Sequence, residues 1–265
     1  MIVTWSRGTA NEHMPEDIST EVADMMNRHP WWRARARLAL AFLAAADILP
    51  PARVLDAGCG SGASLEALER RGYAVTGLDI SRRVLERIDR VGRMLIEADL
   101  TRCQPRAIEP FDAVLLLDVI EHLDDEKVVL RALSGLLRPG GLAIISVPAR
   151  PDLVSEFDRI QRHRRRYTPD SLASVFPTTG FEVRQILWWG YVMVPALRLQ
   201  RRRGKKSGPS EPPLAVYRRH LQLPPWPVPW LLDLALAWDH RRTLARKNST
   251  GTSLIALASP SSETR

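Results

Sequence analysis

The ten residues from Arg53 to Gly62, RVLDAGCGSG, constrain this chain more than any other stretch. Val54 and Leu55 read as the end of a short buried strand, Asp56 sits at its tip, and glycines 58, 60 and 62 carry the backbone towards a helix. Glycine takes up conformations that other residues avoid and has no side chain to hold a ligand away. The turn is therefore suited to setting bare backbone amides against a small molecule. A second strand, AVTGLDI, ends in Asp79 and Ile80, far enough on for the acid to hold a ribose in a nucleotide-binding βαβ unit.

The pieces that follow keep the same alternation. Leu65, Leu68 and the stop at Gly72 mark a crossover helix, and Ser81 caps another that carries Val84, Leu85, Ile88 and Val91 at helical spacing. MLIEADL reads as a third strand ending in Asp99, followed by Leu100. In FDAVLLLDVIEHLDD the apolar run from Ala113 to Leu117 fits a central parallel strand covered on both faces. It ends in Asp118, Val119, Ile120, Glu121 and His122. Asp124 and Asp125 open a helix striped with Val129, Leu133, Leu136 and Leu137, and Arg138-Pro139-Gly140-Gly141 turns into the strand LAIISVPA. TPDSLASVFPTTGFEV reads as a capped helix leading to a sixth strand over Phe181 to Leu187, and GTSLIALAS, residues 251–259, has the character of a seventh.

This order predicts an α/β chain: a Rossmann-like, doubly wound, seven-stranded sheet, mostly parallel with the last strand antiparallel, helices on both faces and an insertion before the last strand. The glycine spacing is a poor match to the dinucleotide fingerprint G-x-G-x-x-G, which disfavours a nicotinamide oxidoreductase. It resembles instead the D/E-x-G-x-G-x-G motif of the class I S-adenosylmethionine-dependent methyltransferases, of the small-molecule methyltransferase type. The resemblance runs from residue 30 to residue 187, with a fainter echo in the last strand, and includes the D-V-x-E-H segment at Asp118 to His122. It implies S-adenosylmethionine as cofactor, cradled by Asp56, Gly58, Cys59, Gly60 and Gly62. Asp79 and Ile80 would meet the ribose, Asp99 and Leu100 the adenine, and Asp118 and Val119 the floor beside the methyl group. No metal ligands are assigned. A catalytically silent module that binds the cofactor and serves as a scaffold is the alternative from another class.

A proton-bearing acceptor needs a general base, and His122 and His163 are the two candidates. In the family the Glu-His pair often fixes the loop after the fourth strand, so a structural role for His122 stands beside the catalytic one. His163 lies in RIQRHRRRYTPDSL, which is similar to a stretch lining the substrate cavity in many relatives. Its five arginines between 159 and 166 either form a solvated loop with a few ion pairs or clamp an anionic group, with Arg165, Arg166 and Tyr167 as the candidates to face inward. Trp31 and Trp32, at the start of the apolar stretch after His29, would belong to a lid helix near the substrate entrance.

Four parts follow: a polar, loose lead-in over 1–26 without the pattern of a signal peptide; the cofactor-binding core with its lid helix over 27–187; an apolar and basic insertion over 188–250; and the last strand and tail over 251–265. Two cysteines offer no disulfide framework and suit a reducing, cytoplasmic setting, and Cys59 and Cys103 read as small filler rather than nucleophiles. The net charge of +8 suggests an anionic partner, but no nucleic-acid module accompanies it. Five of the eight tryptophans lie between residues 188 and 238, close to Arg/Lys clusters. Such an insertion could close the active site, form a dimer face, or touch the inner face of a membrane. Together with the W-W-x-x-R-x-R and H-R-R-R-Y stretches, it resembles bacterial methyltransferases that handle lipid-linked or glycan intermediates, so the expected acceptor is a small or lipid-linked molecule, methylated at oxygen.

Overall fold

The computed structural model describes residues 1–8, 16–90, 92–102, 109–203 and 212–261. Its centre is an eight-stranded sheet formed by β1 (Ile2–Thr4), β2 (Arg53–Ala57), β3 (Ala74–Asp79), β4 (Met94–Glu97), β5 (Phe111–Leu117), β6 (Leu137–Pro148), β7 (Phe181–Trp189) and β8 (Ser253–Pro260). The spatial order is β1-β4-β3-β2-β5-β6-β8-β7. Every pairing up to β5 with β6 is parallel, and β8 runs antiparallel between β6 and β7. The chain winds outward in one direction through β3 and β4 and in the other through β5 and β6. The crevice outside the carboxyl ends of β2 and β5 is therefore the topological switch point, where α/β sheets bind ligands.

Alternate residues of the central strands point to opposite faces, and both faces are covered. Val54, Ala113 and Leu115 pack on one side with Leu38, Phe42 and Leu43 of α2 (Pro30–Ala45). Leu55, Val114 and Leu116 pack on the other with Val129, Leu130 and Leu133 of the helix Glu126–Ser134. Burial on two faces is why these strands read as continuous apolar runs. The helices before and between them are α1 (Glu16–Arg28), α3 (Ala63–Glu69) and α4 (Arg82–Ile88). After β5 come α5 (Glu126–Ser134), α6 (Glu156–Ile160), α7 (Pro169–Ala173), α8 (Val194–Arg203), α9 (Pro213–Leu221) and α10 (Val228–Leu244).

Two segments outside the central strands matter. The first is at the N-terminus, where a loose lead-in was expected. Ile2–Thr4 instead pair with Leu95–Glu97 and add an eighth strand at the sheet edge. Helix α1 then buries Ile18 and Val22 against Tyr217 and Leu221 of α9. A three-residue strand and an apolar stripe this sparse leave little periodic signal in a polar stretch. The second is the expected insertion, which among the described residues places three α-helices before β8. Of these, α10 joins the α2 side of the core through Leu232 and Leu236, and α9 holds α1. The expected last strand, 251–259, is β8, shifted only slightly at its ends.

Candidate active site

Asp56 ends β2 and is buried, and Ser64 of α3 donates a hydrogen bond to its carboxylate. Burial pushes the Asp56 carboxyl up to about 6, against the pull of the Ser64 bond and of Arg35. The turn that follows has positive φ at Gly58 (80°), Gly60 (47°) and Gly62 (77°). At Gly58 the need is doubled, because a Cβ there would lie 2.4 Å from Cγ2 of Val119. Cys59 is buried, and its thiol is pushed well up by burial and by Asp79 and Asp56, which suits filler and not a nucleophile. Cys103 lies outside the described residues.

Asp79 at the tip of β3 accepts from the Gly60 amide at 2.9 Å and from the Ser81 amide at 2.9 Å. One carboxylate thus ties the glycine turn to the start of α4. Asp99 lies two residues past β4, where its Oδ1 accepts from the Thr101 amide at 3.0 Å, and it is 4% exposed. Gly8 of the N-terminal segment packs over this end of the crevice, since a Cβ there would lie 2.5 Å from Ile80 and 2.9 Å from Asp99. Asn27 of α1 exchanges hydrogen bonds with Ser61 in both directions, at 3.1 and 2.6 Å. Neither Gly8 nor Asn27 carries a motif that the sequence could expose.

Asp118 closes β5 at a φ of 58°, a left-handed conformation uncommon for a residue with a side chain. Its carboxylate forms an ion pair with Arg35 of α2 and accepts from the Ser146 hydroxyl of β6 at 2.6 Å. The next turn brings in Glu121 and His122. Glu121 is fully buried, with neither carboxylate oxygen hydrogen-bonded, and burial together with nearby Asp118 pushes its carboxyl well above the usual range.

His163 arrives from the arginine-rich segment after α6 and meets this turn. Its ring stands edge to face with that of His122, centroids 4.8 Å apart, and its Nε2 is 3.9 Å from the Glu121 carboxylate. Its Nδ1 is 3.0 Å from Oδ1 of Asp158. Burial would raise the Asp158 carboxyl, but hydrogen bonds from His163, Arg166 and Ser155 prevail and hold it well below the usual range. Ligand atoms of Glu121, His122 and His163 all lie within 4.8 Å of one another, a convergence that the sequence, with no metal ligands assigned, did not disclose.

The arginine run resolves into separate tasks. Arg164 pairs with Asp124, and Arg165 with Glu126, which also accepts from the buried Tyr167 hydroxyl at 2.8 Å. Arg166 holds Asp158 through two bonds of 2.7 and 3.1 Å. Arg165 and Tyr167, expected to face the substrate, are therefore used inside the protein. They lie away from the cavity, because the Glu126 carboxylate takes donors from both. Arg166 reaches the cavity wall with its guanidinium already engaged, and Arg159 is the exposed member of the run on that wall.

One cavity of about 1470 Å³ joins these groups. At one end it is lined by the glycine turn and by Asp56, Asp79, Ile80, Asp99, Leu100, Asp118 and Val119; His122, His163 and Arg35 line it as well. The other end is mainly apolar, with Trp32, Phe157, Met193, Leu197, Leu221 and Leu223. Trp31 and Trp32 of α2 both line it, and Trp31 also stacks on buried Trp189 with centroids 4.1 Å apart. The cofactor-site residues read from the sequence thus meet on one wall. The residues added by the structure are Asn27, Arg35, Glu121, Ser146, Asp158 and Arg159.

Comparison with known proteins agrees with this geometry. Residues 28–186 match the family model described as Methyltransferase domain. A ubiquinone biosynthesis O-methyltransferase of Xanthomonas campestris pv. campestris is 34% identical over 156 residues, 52% of this chain and 62% of that protein. The chain therefore spans less than two thirds of the length of the curated relatives it matches. Among solved structures, a methyltransferase in complex with the Trm112 methyltransferase activator of Haloferax volcanii superposes with a TM-score of 0.59 at 16% identity, covering 94% of this chain and 97% of that one. Magnesium protoporphyrin IX methyltransferase of Synechocystis PCC 6803 with bound SAH superposes at 0.51 and 17% identity, over 86% and 83% of the two chains. With the domain model matched over more than half its length and the glycine turn in place on a Rossmann-like sheet, the chain belongs to the class I S-adenosylmethionine-dependent methyltransferase family.

Proposed function

We propose that this chain methylates an oxygen of a small acceptor with a largely apolar body, of the lipid-linked class, using S-adenosylmethionine. The observation that carries the reading is one cavity lined together by the strand-end carboxylates, two histidines and an apolar wall. The naming of the relatives as O-methyltransferases supports oxygen as the atom methylated.

The cofactor fits the chain's own residues: a Cβ at Gly60 would point into open space, with Gly58 O at 4.0 Å as its neighbour, and Asp79 lines the same cavity. When bound, S-adenosylmethionine supplies a methyl group on a positively charged sulfur, a charge that is lost as the methyl leaves. Asp79 would accept from both ribose hydroxyls, Asp99 would face the adenine, and the side-chain-free glycine turn would lie against the methionine portion. Asp118, held by Arg35 and Ser146, would form the floor beside the methyl group. The pair His122 and His163 would take the proton of an acceptor hydroxyl, with Asp158 fixing the His163 ring through Nδ1. Trp31, Trp32 and the insertion helices would keep water from the reacting atoms. Arg159, at the wall, would meet an anionic part of the acceptor. A lipid-linked acceptor is reached from a surface, so a peripheral place at the inner face of a membrane belongs to the same reading.

The test has two steps. Calorimetric titration with S-adenosylmethionine, its demethylated product and NAD should show affinity for the first two alone; no affinity for them ends the proposal. Labelled methyl donor is then offered with lipid, small-molecule, protein and RNA fractions of a lysate. Label is expected in an alkyl-oxygen product of the lipid fraction, and label confined to protein or RNA overturns the acceptor class.

A further inference from the structure

Helix α10 is apolar on two sides. Its inner side packs Leu232 and Leu236 into the core beside α2. Its outer side, with the turn before it, leaves Trp226 80%, Trp230 55%, Leu231 51%, Leu234 51% and Trp238 48% exposed. Positions 231, 234 and 238 recur at helical spacing, so these side chains form one stripe. Isolated exposed apolar residues need no explanation; an aligned stripe ending in Trp238, with exposed Trp230 and Trp226 beside its start, does.

The charge around the stripe has one sign. Between Trp226 and Leu244 the acids are Asp233 and Asp239. Asp239 is buried, and Asp233 is paired with Arg37 at 2.9 Å and Arg33 at 3.8 Å. Arg241 is exposed at the end of the stripe, and Arg242 lies 4.8 Å over the Trp238 ring and 5.5 Å over that of Tyr191. Indole rings flanked by guanidinium groups are the combination that settles at the headgroup level of an anionic bilayer.

The stripe also leads to the cavity. Tyr191, 39% exposed, has its ring 6.3 Å from that of Trp238, and the turn that carries it runs directly into α8. Helix α8 in turn lines the apolar end of the cavity with Ala196, Leu197 and Leu199, the last of which is 47% exposed. No helix among the described residues is long and apolar enough to cross a membrane, so contact through α10 would lie in the plane of the surface.

We infer that the outer face of α10, with Tyr191 and α8, docks on an anionic phospholipid surface and turns the apolar end of the cavity towards it. The docking stands on the exposed stripe and its charge; delivery of an acceptor from the surface rests also on the methyl-transfer reading above. Arg241 and Arg242 would meet lipid phosphates while the tryptophans enter the boundary between headgroups and chains.

The test is co-sedimentation of the full chain with vesicles of phosphatidylcholine containing about 30% phosphatidylglycerol, and with phosphatidylcholine alone. The protein is expected to partition to the anionic vesicles at low salt and to be released as salt rises. Trp226→Gln/Trp230→Gln, at exposed positions that leave the fold intact, should lower partitioning at least about tenfold, with S-adenosylmethionine affinity unchanged. Wild-type protein that stays in the supernatant, or a double variant that partitions like wild type, overturns the inference. So does a dimer in vesicle-free solution that these substitutions dissolve and vesicles do not, because the stripe would then cover itself with a second copy. The two readings fail separately: loss of vesicle binding leaves cofactor binding intact, and loss of cofactor binding leaves the docking surface intact.

Discussion

Arg35 of α2 forms an ion pair with Asp118 at the tip of β5, 83 residues away. The pair joins α2 to the strand end that forms the floor of the cavity, and Ser146 holds the other oxygen of the same carboxylate. Cutting it should leave Asp118, at its left-handed backbone position, without its main restraint. Arg35→Met is expected to weaken S-adenosylmethionine binding by roughly tenfold to a hundredfold, as loss of a charged hydrogen bond of about 1.5–3 kcal/mol would give. A double-mutant cycle with Asp118→Asn, read by calorimetric titration, checks the coupling. Additive effects would separate the two residues.

Asp79 has two tasks, because it restrains the Gly60 and Ser81 amides before it meets any ligand. Asp79→Ala is therefore expected to abolish measurable cofactor binding, and Asp79→Asn, which keeps one acceptor oxygen, to weaken it by at least about tenfold. Gly58→Ala should behave like the alanine variant, since its Cβ would press on Val119 at a positive φ. Wild-type affinity in Gly58→Ala would remove the bare turn from the site.

The edge-to-face pair of His122 and His163 predicts a split between binding and turnover. His122→Ala and His163→Ala should retain cofactor affinity, with at least one of them losing about 10²-fold or more in kcat, the range of a general base. Asp158→Asn should lower kcat through the orientation of His163, and its pH profile should shift while cofactor affinity does not. Wild-type turnover in both histidine variants would end the base assignment. A chelator serves as the control, because loss of activity on chelation would assign the Glu121, His122 and His163 trio to a cation instead.

His29 and His240 carry a pH dependence. Burial lowers both imidazoles from their ordinary 6.5 to about 4, opposed at His29 by Asp233 and reinforced at His240 by Arg37. A group with a depressed folded pKa contributes stability that is present above its unfolded pKa and is lost as pH falls towards the folded one. The window is thus pH 6.5 down to about 4. At His29 the cause is local as well, because Nδ1 accepts from the Trp31 amide at 3.1 Å and caps α2, and protonation would remove that acceptor. His29→Asn keeps a cap that does not titrate, so its Tm should fall less than that of wild type between pH 7 and pH 5. Parallel Tm curves for the two proteins would sink the assignment.

The succession of β2 to β8 along the chain, the glycine turn and the carboxylates at strand tips followed from the sequence alone. These features are local. A strand buried on two faces must be apolar along its length, as Ala113 to Leu117 is, and a backbone forced to positive φ beside another chain segment must be glycine, as at Gly58. What only the tertiary structure decided are the meetings between distant residues: Arg35 with Asp118, Asn27 with Ser61, and His163 with Asp158 and the Glu121–His122 turn. An arginine in RARAR or in RHRRRY looks the same whether it faces water or closes a buried pair, because its local pattern does not record which acid the fold will bring to it. The same reason separates Arg159 on the cavity wall from Arg165 beside Glu126, and the outer stripe of α10 from its inner one. Periodicity shows that a residue has a face; packing alone decides what that face meets.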